Sequence, residues 1–287
     1  MEKIREKIGE IIFLLSAVMS VFLILLIIFF IFSEGMKFVN EYGLLKFITG
    51  STWKPTAGNP KFGIKPMIVG SLIVTLVSTL IAVPFGLAIS IFMAYYSKKS
   101  YGSLKSLINL MAAIPSVVYG FFAMMVLVPL VKDIFGVKSG MNMLTASLLL
   151  AIMVLPTMVN ISENSLRQVP KTFMTGSLAL GASKEETIAK VLVPYAKSGI
   201  FSSIILAIGR AIGETMAVYL VIGNQPMMPT SLLKGARTLT TNIVLEMGYA
   251  SGMHRQALIA TGMVLFCFIL IINILFNIIR NKTESKF

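Results

Sequence analysis

Long unbroken runs of apolar residues dominate this sequence, and polar residues gather in the segments between them. Six runs approach or exceed the ~20 residues that a helix needs to cross a bilayer. They cover residues 11–32, 67–95, 107–131, 142–160, 198–222 and 256–279. Because backbone groups that find no partner in lipid must pair within their own segment, runs of this length are predicted to be helices. We therefore predict an all-α, polytopic membrane protein with six transmembrane helices.

The composition supports this class. Hydrophobic residues make up 56% of the 287 positions and charged residues only 13%, whereas a soluble domain carries about 25% charged residues. The first run follows Lys3, Arg5 and Lys7 and so resembles a signal peptide. Its apolar stretch is longer than the roughly 7–15 residues of a cleaved signal, and we interpret it as a retained anchor helix.

An even number of spans places both termini on the same side of the membrane. The segments on the side of the termini are 1–10, 97–105, 161–197 and 280–287. They carry more Lys and Arg for their length than the segments on the other side, as expected of cytoplasmic loops. We predict cytoplasmic termini and two units. Residues 1–66 form an anchor helix and an extracytoplasmic loop, and residues 67–287 form a five-helix core with a cytoplasmic loop at about 161–197.

The net charge of +13 changes this picture little. Basic residues at the ends of membrane helices set orientation and contact anionic lipid, so we expect membrane lipid as a partner and no nucleic acid. The single Cys267 lies in an apolar run, and the single His254 lies in a polar loop that we interpret as surface. With one residue of each type we expect no disulfide within the chain, no metal site and no cofactor.

Two charges, Arg210 and Glu214, lie near the middle of the fifth run, and the other charges lie outside all six runs. A charge at that depth costs roughly 2.5–3.5 kcal/mol on insertion scales, so it indicates function. In a continuous helix, residues four apart share one face and can partly neutralise each other. The planar donor fork of arginine also suits phosphate or carboxylate oxygens. The alternative is a purely structural ion pair between helices.

Small residues recur beside these charges at Gly209, Gly213 and Ala217. A stripe of small side chains at this spacing lets a second helix approach closely in a membrane. We expect one face of the fifth helix to pack tightly and the adjacent face to carry charge toward a cavity or a partner.

The inner segment 161–197 is predicted to form two short helices. Pro170 suits the first turn of one helix, Gly181 suits its end, and Ser183 with Glu186 forms a capping box for the next, which should stop before Pro194. Apolar residues within the segment require either a protein partner or a lipid surface, and composition leaves both open.

The spacing within this segment resembles the cytoplasmic loop of ABC-importer permeases, E-A-A-x3-G-x9-I-x-L-P. Nine residues separate Gly181 from Val191-Leu192-Val193-Pro194, so the Gly and Pro positions match, whereas T-G-S stands where the family has E-A-A. In that family the loop docks on the ATPase subunit. The resemblance therefore implies a cytoplasmic coupling element that includes Gly181, Ala182, Ser183 and Pro194.

Further motifs are similar to those of the phosphate-specific ABC-importer permeases. They are W-K-P-T-A-G-N-P-K-F-G-I-K-P at 53–66, I-P-S-V-V-Y-G at 114–120, L-P at 155–156 and G-R-A-I-G-E-T-M-A at 209–217. The W-x-P followed by F-G-I resembles the PstC-type subunit more than its PstA-type sibling. The resemblance extends from about residue 50 to residue 270.

This resemblance implies the type I ABC importer permease architecture in a bacterial or archaeal cytoplasmic membrane. It implies a PstA-type second permease subunit, two copies of an ATPase subunit and an extracytoplasmic phosphate-binding protein. Arg210 and Glu214 match the family's functional intramembrane charges and would line the substrate path or hold its gate. Because no G-x-x-x-x-G-K-[ST] loop occurs here, ATP hydrolysis is expected on the separate subunit, and this chain is expected not to be an enzyme.

Other functions remain open at this point. A permease for molybdate, tungstate or sulfate would share the fold and the loop. A structural or signalling subunit is also compatible with the sequence, whereas a membrane-embedded enzyme would need more converging catalytic groups than the runs contain. The sequence also leaves open whether residues 223–255 stay in water or re-enter the membrane.

Overall fold

A computed structural model describes residues 2–284, and over this range the chain folds almost entirely into α-helices, as predicted. Its two strands, β1 (Trp53–Lys54) and β2 (Lys61–Phe62), form a short antiparallel hairpin that pairs Trp53 with Phe62. The helices of the described range are α1 (Glu2–Tyr42), α2 (Leu44–Thr49), α3 (Lys65–Tyr95), α4 (Tyr101–Ala113), α5 (Ser116–Met125), α6 (Leu127–Phe135), α7 (Met143–Arg167), α8 (Lys171–Ala179), α9 (Lys184–Thr187), α10 (Val193–Tyr195), α11 (Lys197–Gly213), α12 (Met216–Val221), α13 (Leu239–Glu246) and α14 (Gly252–Glu284). A π-helical turn (Ile188–Leu192) joins α9 to α10. Of the predicted inner segment 280–287, residues 285–287 lie outside the described range.

Five helices of the described range are long and apolar enough to cross a membrane, namely Gly9–Tyr42, Lys65–Tyr95, Ser116–Phe135, Met143–Arg167 and Gly252–Phe276. A sixth crossing is obtained if Lys184–Tyr195 and Lys197–Gly213, which meet at an angle of 69°, are counted as one span. The prediction of one continuous helix over 198–222 is wrong, because α11 ends at Gly213 and α12 begins at Met216.

The third predicted run, 107–131, is also interrupted. Helix α4 ends at Ala113, two residues before Pro115, and the membrane-length stretch is Ser116–Phe135. Proline disfavours the helical conformation in the residue before it, and that residue is extended here, with φ −66° and ψ 127°. Pro84 and Pro156 lie inside α3 and α7 without ending them.

Helix α7 lies at the centre of the bundle and packs against α3, α4, α11 and α12. In its most apolar stretch 61% of the residues are buried, compared with 0% in α1. A Cβ on Gly86 of α3 would lie 2.8 Å from the sulfur of Met158 on α7, so the missing side chain permits the close approach of these helices. This packing fixes the depth and rotation of α7, which carries part of the site described below.

The N-terminal helix α1 lies along the C-terminal helix α14, where Phe32 meets Phe266 edge-on with ring centroids 5.8 Å apart. The hairpin, α2 and the start of α3 join the ends of these helices in a second buried cluster, which includes Phe38, Phe47, Trp53, Phe62 and Leu258. The segment 1–66 thus shares buried apolar contacts with 67–287. The division at residue 66 stays a prediction.

Candidate functional site

The chain breaks its fifth span at Glu214. Helix α11 stops at Gly213, Glu214 is extended with φ −66° and ψ 136°, and α12 starts two residues later. The Glu214 carboxylate accepts a hydrogen bond from the backbone N–H of Ala217 at 3.2 Å, so it satisfies one of the unpaired amides at the start of α12. Its backbone carbonyl accepts from the Thr240 hydroxyl at 2.9 Å.

This break overturns the expected arrangement of Arg210 and Glu214 on one helix face. Arg210 lies exposed on α11, and its Nη1 donates to Thr157 Oγ1 on α7 at 3.1 Å. None of the ion pairs in residues 2–284 joins Arg210 to Glu214. A spacing of four residues brings side chains together only while the helix continues. Arg210 therefore keeps its positive charge free of a carboxylate partner in this state.

The small residues beside Arg210 do not form the single packing stripe that the sequence predicted. A Cβ on Gly209 or Gly213 would meet no atom within 4 Å in the described part of the chain. Ala217 does pack closely, because a Cβ on Gly120 of α5 would lie 2.8 Å from its Cα. Of the three small residues, only Ala217 thus serves packing within the chain, and the surface around Arg210 stays open.

Glu163, a charge that the sequence analysis places in the inner segment, lies within helix α7. Helix α7 continues to Arg167, seven residues beyond the predicted run, and so includes Glu163, whose side chain is fully buried. Lys105 Nζ on α4 lies 2.7 Å from one carboxylate oxygen, and Arg167 Nε pairs with the other. The charge is thus neutralised from two sides, and it ties α4 to the end of α7.

Residues 223–255 fold against the bundle. The carboxylate of Glu246, at the end of α13, is the common acceptor of a buried group of polar side chains. Arg237 Nη1 lies 2.6 Å from one carboxylate oxygen. His254 Nε2 and Trp53 Nε1 lie 2.8 Å and 2.9 Å from the other. We call Glu246, Arg237, His254 and Trp53 the Glu246 cluster. The interpretation of His254 as surface is wrong, since it is only 8% exposed.

The Glu246 cluster is connected to the broken span. Thr240, near the start of α13, donates to the Glu214 carbonyl, and the backbone N–H of Leu239 donates to Ser71 Oγ on α3 at 2.9 Å. A Cβ on Gly70 of α3 would lie 2.5 Å from the carbonyl oxygen of Arg237. These contacts hold the segment directly over the break at Glu214. Sequence reasoning missed the cluster, because its members are scattered over two hundred residues.

The inner segment 161–197 has the predicted turn and cap. Gly181 ends the first helix region with φ +86°, a conformation that side chains other than glycine rarely adopt. Ser183 forms a capping box with Glu186. The backbone N–H of Ser183 and then Lys190 hold the pKa of the Glu186 carboxyl below its usual value. The second helix region does not stop before Pro194, because α10 includes it.

The exposed surface of this segment contains apolar side chains. Leu180 is 91% exposed, and Phe173, Leu178 and Tyr195 are exposed as well. Gly181, Ala182, Ser183 and Pro194 lie in the same stretch of chain. Within residues 2–284 the structure contains no group of three or more His, Cys, Asp or Glu side chains arranged to hold a metal ion.

Comparison with known proteins places this geometry in context. The family described as "Binding-protein-dependent transport system inner membrane component" matches residues 86–285. The probable ABC transporter permease protein YqgH of Bacillus subtilis (strain 168) is 40% identical and covers 83% of this chain and 79% of its own. The probable phosphate transport system permease protein PstC of Methanocaldococcus jannaschii is 33% identical and covers 96% of this chain and 94% of its own.

Solved structures share the fold. A chain of the bacterial alginate ABC transporter, crystallised in complex with an alginate pentasaccharide-bound periplasmic protein, superimposes with a TM-score of 0.63. It covers 91% of this chain and 93% of its own at 14% sequence identity. The predicted type I ABC importer permease architecture is thereby confirmed.

Proposed function

The chain belongs to the family of binding-protein-dependent transport system inner membrane components, and we propose that it is the permease subunit of an ATP-driven inorganic phosphate importer. The chain is a multi-pass membrane transporter subunit rather than an enzyme. The observation that carries the proposal is Arg210, an exposed guanidinium in the last turn of α11 whose hydrogen-bond partner is a neutral hydroxyl. Arginine binds phosphate oxygens through its fork of donors. The phosphate transport relatives supply the choice of anion.

Arg210 and Glu214 then act as substrate-path and gate residues. In the present state Arg210 contacts Thr157, and Glu214 faces the start of α12. We propose that another state of the transport cycle brings the two side chains together. A ligand shifts such an equilibrium only through contacts that differ between states, and an anion that neutralises Arg210 makes that difference. Gly209 and Gly213 leave the surface beside Arg210 open for the other wall of the path.

The partners follow from this assignment. A second permease subunit of the PstA type supplies the other wall, and an extracytoplasmic phosphate-binding protein delivers the anion. Two copies of an ATPase subunit provide the energy, one of them docking on the inner segment through the exposed stretch around Gly181, Ala182, Ser183 and Pro194. Both termini then lie in the cytoplasm of a bacterial or archaeal cell, and lipid surrounds the outward apolar faces.

The test is phosphate uptake at low external phosphate in cells that lack their own high-affinity importer. The cells carry this chain with its companion subunits, either as wild type or as Arg210→Gln. Wild-type uptake should be phosphate-selective, and the substitution should abolish it while the subunits still assemble. Near-normal uptake by Arg210→Gln would remove Arg210 from the translocation path.

The alternative is a permease for another oxyanion such as molybdate, tungstate or sulfate. Unlabelled competitors in the same uptake experiment separate the two. If molybdate or sulfate suppresses uptake at lower concentrations than phosphate does, the substrate is that oxyanion, and the fold and the partners remain.

A further inference from the structure

Polar side chains continue along α7 from Arg210 toward the inner segment. Thr157, Asn160 and Asn164 follow one another at intervals of three and four residues and therefore share one face of the helix. Thr157 accepts from Arg210. Asn160 Nδ2 donates to Asn109 Oδ1 on α4 at 3.2 Å. We call Asn109 and Asn160 the amide pair.

This face is open, whereas other polar side chains of α7 are enclosed. Ser147 is buried and donates to the carbonyl one turn earlier, and Ser162 is buried against Ser203. Asn109 and Asn164 are exposed. Uncharged amides that face lipid would lose their hydrogen bonds to water. The face that carries them is therefore expected to line an aqueous path.

One atom of the amide pair lacks a partner. The side-chain oxygen of Asn160 is buried in the present state and accepts no hydrogen bond within the described part of the chain. An amide oxygen has two acceptor positions, and most buried polar atoms in proteins are satisfied. The amide pair thus combines N–H donors with an acceptor that a donor on another molecule can fill in another state of the transport cycle.

We propose that the amide pair is a second anion position, between Arg210 and the inner segment, which prefers oxyanions that retain a proton. The inference rests on the proposed phosphate transport. At neutral pH phosphate and arsenate still carry an O–H group, and that group donates to the Asn160 oxygen. Sulfate and molybdate are fully ionised and place an oxygen lone pair against it. Sites built to pair one polar group reject analogues that lack it, because their own group is left unsatisfied.

The amide pair carries no charge of its own, which suits its place after Arg210, and the nearby Lys105 is already paired with Glu163. A permeating ion must be bound well enough to enter a site and weakly enough to leave it. Arg210 supplies the charge that attracts the anion, and the neutral amides supply directional hydrogen bonds without holding it by charge. The anion is therefore released toward the inner segment.

The test measures equilibrium binding of radiolabelled phosphate to the complete membrane complex in lipid nanodiscs, without the binding protein. Selectivity then comes from the path alone. Unlabelled arsenate should displace the phosphate, and sulfate should not. Asn160→Leu should weaken phosphate binding about tenfold or more, the loss expected for a hydrogen bond to a charged ligand. It should also bring the concentrations of arsenate and of sulfate that displace the labelled phosphate closer together.

Two further variants separate selectivity from folding. Asn160→Gln keeps the amide and should retain the preference for arsenate. Thr79→Val on α3, a polar position outside this face of α7, should bind as wild type does. If Asn160→Leu fails to assemble, Asn160→Ala removes the same oxygen with a smaller side chain. An unchanged arsenate-to-sulfate ratio in whichever of these variants assembles, or no preference in the wild type, overturns the inference. If the inference is overturned in this way but wild-type cells still take up phosphate, the proposed function stands. If wild-type cells take up no phosphate, the proposed function itself is refuted.

Discussion

The Glu246 cluster provides the sharpest test of how residues 223–255 are held against the bundle. Glu246→Gln keeps the size of the side chain but removes its charge and one of its two acceptor oxygens. In the structure those oxygens face three donors, Arg237 at 2.6 Å, His254 at 2.8 Å and Trp53 at 2.9 Å. The substitution therefore leaves the buried Arg237 without a counter-charge.

The expected cost follows from the contacts that remain. Removing one partner of a buried ion pair costs about 3–5 kcal/mol, because the other charge stays buried and uncompensated. Arg237 also donates to the Asn224 carbonyl at 3.1 Å and to Asn242 Oδ1 at 2.9 Å. Since these bonds persist, we expect a loss near the lower end, about 3 kcal/mol.

The assay uses the fluorescence of the single tryptophan, Trp53, which lies in the cluster. Unfolding in mixed micelles of increasing denaturing detergent, followed by the emission maximum, gives the free energy of unfolding for wild type and Glu246→Gln. The control is Glu34→Gln, which breaks the solvent-exposed pair with Lys37 at 2.5 Å and should cost under ~1 kcal/mol. If the free energy of unfolding of Glu246→Gln lies within ~1 kcal/mol of the wild-type value, a change of about fivefold in the unfolding equilibrium constant, the cluster does not hold residues 223–255 in place.

Three other substitutions probe separate parts of the chain. Gly181→Val forces a β-branched residue to a positive φ, which costs about 1–3 kcal/mol, so it should reduce co-purification of the ATPase subunit; Gly176→Val, in an open position, should reduce it less. Gly70→Ala places a Cβ 2.5 Å from a backbone oxygen and should lower the free energy of unfolding by ~1–3 kcal/mol. The control Gly102→Ala should leave it unchanged, and equal stability of the two variants would contradict the close approach. Thr157→Val removes the hydroxyl that holds the guanidinium and should lower uptake at limiting phosphate about tenfold, and unchanged uptake would show that this hydrogen bond does not position the charge.

The helices and the inner turn could be predicted from the sequence because their causes are local. A long apolar run must pair its own backbone in lipid, so its helical state follows from composition alone. The capping box at Ser183 and the positive φ at Gly181 arise within a few residues. The presence of a charged arginine within a long apolar run is likewise read directly from the sequence.

The errors arose where distant segments compete with local periodicity. The span over 198–222 breaks at Glu214, which bonds to Thr240 of α13 and to an amide at the start of α12. Helical spacing carries no information about such partners. The polar loop around His254 predicts a surface position, although Glu246 and Trp53 enclose the side chain.

The sequence by itself determined the membrane class, the approximate helix positions, the capping of the inner segment and the presence of an arginine in a membrane span. Only the tertiary structure decided which partner Arg210 contacts, that Glu214 turns away from it, and that Asn109 meets Asn160 across α4 and α7. The physical reason is range. Backbone pairing and capping act over a few residues, whereas partner choice among polar side chains depends on the rotation and depth of packed helices, which the whole bundle sets.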